Sequence, residues 1–258
     1  MSYFVTGATG FIGRYLVGNL LKRSGTVYVL VRKDSQKKFD AIAKKAGWDM
    51  KRVTVVHGDM TKPRCGLTPA QLRTLTGKVK HFFHLAAIYD LTATREAQQA
   101  ANIDGTQHAL DLAAALKAGC FHHTSSIAAA GLYPGIFRED MFDEAEGLDD
   151  PYLRTKHESE GLVRNEKRIK WRIYRPGMVV GHSKTGEIDK IDGPYYFFTL
   201  IKKLRELLPQ WVPVLGIEGG SINIVPVDFV ADAMDYIAHK PKLDGHTFHL
   251  TDPEPMRV

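Results

Sequence analysis

The chain has 258 residues, with 35 lysine and arginine against 29 aspartate and glutamate, a formal net charge of +6. Hydrophobic residues make up 44% and charged residues 25%, which excludes a disordered, collagen-like or disulfide-scaffold chain. The surplus positive charge forms no long Lys/Arg run, so it favours a small anionic ligand over nucleic acid.

In chain order, residues 3–5 read as a short buried strand and 11–22 as a helix by the spacing of its apolar positions. Residues 27–31 form a second strand, 35–46 a polar-faced helix and 53–56 a third strand. Strands at 81–85 and 120–124 flank an Ala-rich helix from about Thr94 to Lys117. A helix over 151–167 precedes a sixth strand at 170–174. The pattern then becomes irregular: 181–193 is a polar loop, 194–208 an aromatic-rich helix, and 225–239 a helix behind an entry strand. Residues 245–251 read as a last strand running into a loop.

Short apolar strands separated by helices need crossover connections, and therefore a parallel sheet. Right-handed crossovers make this an α/β fold, a doubly wound parallel sheet of Rossmann type, with ligand expected at the carboxyl ends of the strands. Residues 1–180 form the nucleotide-binding domain, and 181–258 a smaller substrate-side segment whose strand and helix return to the core. Two cysteines, no basic and apolar leader, and no uncharged span of membrane length lead to the expectation of a cytoplasmic protein.

The first strand runs straight into Thr6-Gly7-Ala8-Thr9-Gly10-Phe11-Ile12-Gly13-Arg14. Glycines three apart permit a tight turn and close approach of a pyrophosphate, which the helix amino end then attracts. Thr6, Gly7, Thr9, Gly10, Phe11, Ile12, Gly13 and Arg14 are therefore assigned to a dinucleotide. An NAD-binding unit commonly carries an acid about 20 residues further on, at the end of the second strand. Here Arg32 and Lys33 stand there. A guanidinium pairs with a 2′-phosphate that an acid would repel, so the expected cofactor is NADPH/NADP+.

Tyr152-Leu153-Arg154-Thr155-Lys156 opens a helix, and four-residue spacing puts Tyr152 and Lys156 on one face. A nearby ammonium favours phenolate, which makes the phenol a general acid/base near neutral pH. Ser126 follows the fifth strand, where its hydroxyl can bond the reacting oxygen beside the tyrosine.

With these motifs the sequence resembles the extended branch of the short-chain dehydrogenase/reductase superfamily over nearly its whole length. The matching residues are Gly7, Gly10, Gly13, Asp59, His84-Leu85-Ala86-Ala87, Asn102, Ser126, Tyr152, Lys156 and Arg175-Pro176-Gly177. The resemblance implies that Ser126, Tyr152 and Lys156 are catalytic, with Lys156 also on the nicotinamide ribose. It places Asp59 at the adenine, Ala86 on the adenosine side, and Met60, Asn102, Pro176, Gly177 and Val179 in the cofactor site. The stretches Val5–Gly13, His122–Ala128 and Tyr174–Ser183 are similar to fatty acyl-CoA and thioester reductases, notably the amino-terminal reductase domain of bacterial bifunctional enzymes. That likeness implies NADPH reduction of a long-chain acyl thioester, on CoA or a carrier protein, to an aldehyde, with the alcohol as a further product. The alternatives are a sugar-nucleotide or hydroxysteroid-type oxidoreductase, where Arg32 and Gly177 speak against most sugar-nucleotide members, and a non-catalytic NADP-sensing module.

Tyr195, Tyr196, Phe197 and Phe198 open the aromatic helix, which reads either as core or as an acyl-chain groove, with weak membrane adsorption a third role. Histidines 81, 84, 122 and 123 form no metal site, because alternation along a strand sends His81 and His84, and His122 and His123, to opposite faces. Extended members of the superfamily generally continue past the strand that ends near Leu250. The resemblance therefore leads to the expectation that the substrate lobe is incomplete here and that a further domain follows.

Overall fold

The computed structural model describes residues 1–87, 94–188, 203, 205–207 and 221–257. Six strands follow one another as β1 (Ser2–Thr6), β2 (Thr26–Val31), β3 (Val53–His57), β4 (His81–His84), β5 (Cys120–Thr124) and β6 (Trp171–Pro176). Short strands β7 (Met178–Val180), β8 (Ser221–Ile222) and β9 (Ile224–Pro226) precede β10 (His246–Leu250) and β11 (Met256–Arg257). The main sheet has seven strands in the order β10-β6-β5-β4-β1-β2-β3. Every pairing within it is parallel. From β1 the chain runs outward through β2 and β3, then crosses to β4 on the other side of β1. The switch point lies between β1 and β4, the expected place for a ligand at the strands' carboxyl ends.

Alternation along the strands feeds two cores. Tyr3, Val5, Val27, Val29 and Val31 face one side, where they meet Leu16, Val17 and Leu20 of α1 (Phe11–Lys22), Phe39 and Ala43 of α2 (Gln36–Lys45), and Val230 and Met234. On the other side Phe4, Phe82, Phe121 and Ile173 meet Leu75 of α3 (Pro69–Leu75). That side is completed by helices α4 (Arg95–Gln98), α5 (Gly105–Ala115) and α6 (Pro151–Arg164), with Leu110, Leu112 and Val163 buried in it. The last helix, α7 (Val227–Ala238), packs beside α1 on the first side.

Several details differ from the sequence reading, including the sixth strand, which runs on to Pro176, and the short strand β7. The helix expected over 94–117 is broken by a π-helical turn, Gln99–Asp104, between α4 and α5. Helix α3 has no counterpart among the expected elements, although Thr68 and Gln71 form a capping box in front of it. The fourth strand ends at His84 rather than residue 85, since beyond it the Ala86 N–H turns to the Thr6 hydroxyl at 3.4 Å. Of the helix expected over 194–208, only Lys203 and residues 205–207 are described, and they are helical. Among the described residues no helix is long and apolar enough to cross a membrane.

Candidate active site

The carboxyl ends of β1, β4, β5 and β6 open into a cleft of about 1160 Å³. The glycine loop forms one wall, from Gly7 through Thr9, Gly10, Phe11, Ile12 and Gly13 to Arg14. Ser126, Tyr152 and Lys156 form the opposite end, with Pro176, Gly177 and Val179 beside them.

The loop fits a dinucleotide on its own geometry. Gly7 has φ +73°, and a Cβ there would lie 2.7 Å from the Ala86 nitrogen. A Cβ on Gly13 would sit on the Gly7 carbonyl oxygen, so the helix starts hard against the strand end. Gly10 caps α1 with no side-chain bond, which leaves first-turn N–H groups for an anion. On the β5 side, the Thr124 hydroxyl lines the same cleft, buried and without a hydrogen-bond partner among the described residues. A nicotinamide dinucleotide would supply both the anion and a partner for that hydroxyl.

Tyr152 and Lys156 are set by the start of α6. Asp150 accepts hydrogen bonds from the backbone of Tyr152 at 2.8 Å and Leu153 at 3.1 Å, and Pro151 fills the first helical position. One turn on, Lys156 is only 7% exposed. Burial pulls its pKa down to about 8, partly offset by Glu160. Thr155, between them, donates to the Tyr152 carbonyl and accepts from Asn102 Nδ2, both at 3.2 Å. Ser126 is extended at φ −163°, and its hydroxyl accepts from the Ala128 N–H at 3.1 Å.

The family model described as male sterility protein matches residues 5–234. The chain belongs to that family. It is thus an extended short-chain dehydrogenase/reductase with an NAD(P)-binding Rossmann fold. It is 29% identical over 265 residues to one of the subunits of linear gramicidin synthase from Brevibacillus parabrevis, covering 96% of this chain but 5% of that one. It is also 29% identical over 261 residues to L-2-aminoadipate reductase of Saccharomyces cerevisiae, covering 90% of this chain and 18% of that protein. The chain thus spans only a minor part of the length of these relatives. The crystal structure of the terminal R domain of a myxalamid PKS-NRPS pathway superposes with a TM-score of 0.86 at 29% identity. That match covers 100% of this chain and 67% of the R domain.

Within this member of the male sterility protein family, some of the sequence-assigned residues lie outside the cleft wall. Thr6 is buried, its hydroxyl 2.9 Å from His84 Nδ1, so it braces the strand end. Ala86 packs its backbone behind Gly7, while Leu85 and Ala87 line the cleft. Asn102 sits in the π-helical turn and holds α6 through Thr155. Arg32 is exposed and 3.7 Å from Asp34. Asp59 accepts from the Thr61 N–H and hydroxyl at 3.0 and 2.9 Å. Burial works to raise its pKa, but these bonds and the charges of Arg32 and Lys62 bring it below the ordinary value. The Met60 carbonyl pairs with His108 Nδ1 at 2.8 Å. Tyr195, Tyr196, Phe197 and Phe198 lie outside the described residues.

Other wall residues belong to none of the sequence motifs. Lys38, Ala41, Ile42 and Lys45 face the cleft from α2. Their spacing of three, four and seven is the helical-face signal, but so polar a helix reads as a solvated one. Lys45 reaches Glu187 at 2.6 Å, and the Tyr15 hydroxyl donates to the same carboxylate at 3.3 Å. As for the histidines, His81 and His84 do diverge. His81 meets His122 on one side of the sheet, and His84 stacks on His123 on the other. Among the described residues no group of His, Cys, Asp or Glu is arranged to hold a metal.

Proposed function

We propose that this chain is an NADPH-dependent reductase of acyl thioesters that releases an aldehyde. The observation carrying this reading is one cleft that joins the glycine loop at one end to Ser126, Tyr152 and Lys156 at the other. The name of one relative, an L-2-aminoadipate reductase, supports reduction of an acid-derived group. Arg32 at the end of β2, with Lys38 and Lys45 in the cleft wall, supports a cofactor with an extra phosphate.

A nicotinamide held in the cleft by the glycine loop and Lys156 would supply hydride for the carbonyl carbon. Charge then grows on the carbonyl oxygen, and the hydroxyls of Ser126 and Tyr152 stabilise it as hydrogen-bond donors. Tyr152 gives up its proton to that oxygen, and the Lys156 ammonium stabilises the phenolate left behind. Loss of the thiol from the resulting hemithioacetal leaves the aldehyde. Taking the aldehyde on to an alcohol would need a second NADPH for the hydride and a reprotonated Tyr152 for the proton.

The acyl group we favour is a long alkyl chain, because Ile127 and Met178 keep apolar surface at the cleft, 37% and 38% exposed. The test is an NADPH-oxidation panel of short and long acyl-CoAs, aminoacyl and peptidyl thioesters, aldehydes and UDP-sugars. Turnover of thioesters that rises with chain length is the expected result. Turnover of UDP-sugars alone would overturn the reading, and a preference for peptidyl thioesters would overturn the alkyl part of it.

A further inference from the structure

Arg175 is the largest fully buried side chain among the described residues, and its partner Glu160 is 0% exposed as well. Burying two charges costs more than an apolar pair of the same volume unless every lone pair and proton is used. Here the carboxylate is saturated. Glu160 Oε1 accepts from Arg175 Nη2 at 2.6 Å and from Arg164 Nε at 2.8 Å. Its Oε2 accepts from Arg175 Nε at 3.0 Å and from the Ser125 hydroxyl at 2.7 Å. The guanidinium goes on to the carbonyls of Met141 at 2.9 Å and Arg138 at 3.3 Å, and lies 5.0 Å from the Phe137 ring centre.

These bonds join three parts of the site that touch nowhere in sequence. Ser125 directly precedes Ser126. Glu160 stands one turn beyond Lys156 on α6, on the same face as Tyr152. Residues 137–141 belong to the loop that leaves the cleft wall at Gly131. An ion pair adds little net stability at such a depth, but it fixes direction, because each bond has one geometry.

We propose that Glu160 and Arg175 are positioning residues for the reaction. Through Ser125 they hold the Ser126 hydroxyl in register with Tyr152 and Lys156, and through two carbonyls they hold the 137–141 loop. This rests on the reading of the cleft as a reductase site. Glu160 also supplies the negative charge that offsets burial at Lys156, so its loss acts on the same helix in a second way.

The test uses Glu160→Gln, Ser125→Ala and the double variant Glu160→Met/Arg175→Met. The double variant removes both charges together and leaves neither member of the pair as an uncompensated buried ion, so it is the charge-removing variant best able to fold. Thermal unfolding and NADPH binding are measured first, and NADPH affinity should stay within about twofold of wild type. In the double variant kcat should fall about 100-fold with KM for the thioester little changed, as for a misplaced reacting group. Ser125→Ala, which deletes one hydrogen bond, should cost about tenfold in kcat. Glu160→Gln also removes the charge that offsets burial at Lys156, so it should move the alkaline limb of kcat to lower pH, separately from the loss of kcat. Amide exchange at 124–126 and 137–141 should quicken in the double variant. A folded, NADPH-binding double variant, or Ser125→Ala, with wild-type kcat would overturn the proposal. If the wild-type protein reduces no thioester or aldehyde, the reading of the reaction fails instead. The exchange measurement then decides alone, and unchanged exchange would overturn the positioning role.

Discussion

The imidazoles of His81 and His122 meet across adjacent strands, with Nδ1 of the first 3.0 Å from Nε2 of the second. One ring must donate and the other accept, which two neutral rings can do and two protonated rings cannot. His122 also bonds the Tyr174 hydroxyl at 2.9 Å through its other nitrogen. Burial drives the His81 pKa down to about 4 and, with neighbouring His81 and Arg172, holds His122 well below the usual range. On the other side of the sheet burial, with Lys156 nearby, takes His84 down to about 3.

Each of these rings therefore binds its proton only in the unfolded chain between its folded pKa and the ordinary value near 6.5. The unfolded state holds more protons there, so stability falls as pH drops from about 6.5 toward 4. Urea unfolding midpoints measured from pH 7.5 down to 4.5 should decline through this window. A level profile would show that the rings titrate normally.

Tyr152→Phe removes the proton donor and keeps the ring. We expect kcat to fall at least about 100-fold, the ordinary scale for a lost general acid. NADPH affinity, measured by fluorescence quenching, should stay at its wild-type value.

Lys156 loses its charge above the value of about 8 to which burial brings it. A neutral amine no longer stabilises the Tyr152 phenolate, so kcat should hold below that pH and drop above it. A pH–rate profile that rises through pH 9 would contradict this assignment.

Much of the fold is readable in the sequence because each central strand is a short apolar run and each crossover a helix. Tyr152 and Lys156 are readable as a pair because four-residue spacing is a geometric statement. Lys38 and Lys45 carry the same kind of signal, but a charged helix is ordinarily solvated, and nothing local marks the face that a cleft borrows. Arg175 is readable as part of the Arg175-Pro176-Gly177 motif, but its pairing with Glu160 has no signal in the sequence. The two lie in different elements, and burial of both charges runs against composition. The π-helical turn is equally silent, since Ala-rich sequence suits an unbroken helix. Asn102, which lies within that turn, donates to Thr155 of another helix, a contact that no local pattern announces.

Gly13→Ala tests the glycine loop. The added methyl would fall on the Gly7 carbonyl, and backbone on both sides leaves it nowhere to move. Dinucleotide binding should be lost, seen as absence of NADPH quenching in a protein that retains its far-ultraviolet circular dichroism.

Arg32→Ala tests cofactor choice. Removing a charge-assisted contact to a phosphate should weaken NADPH about tenfold or more and leave NADH nearly unchanged. Equal loss for both cofactors would place Arg32 away from the extra phosphate.

The Thr6 hydroxyl bonds one nitrogen of His84, and the other nitrogen lies 3.1 Å from Thr106. The Thr106 hydroxyl donates in turn to the Asn102 carbonyl at 2.6 Å, and the Asn102 side chain to Thr155 beneath Tyr152. The cleft thus has a gauge length set from inside the protein, running from the strand end at the phosphate wall to the helix that bears the phenol. A dinucleotide meets a span already cut to size. Cofactor analogues with a lengthened or shortened linkage between their two rings should be refused for their length, whatever their affinity at either end.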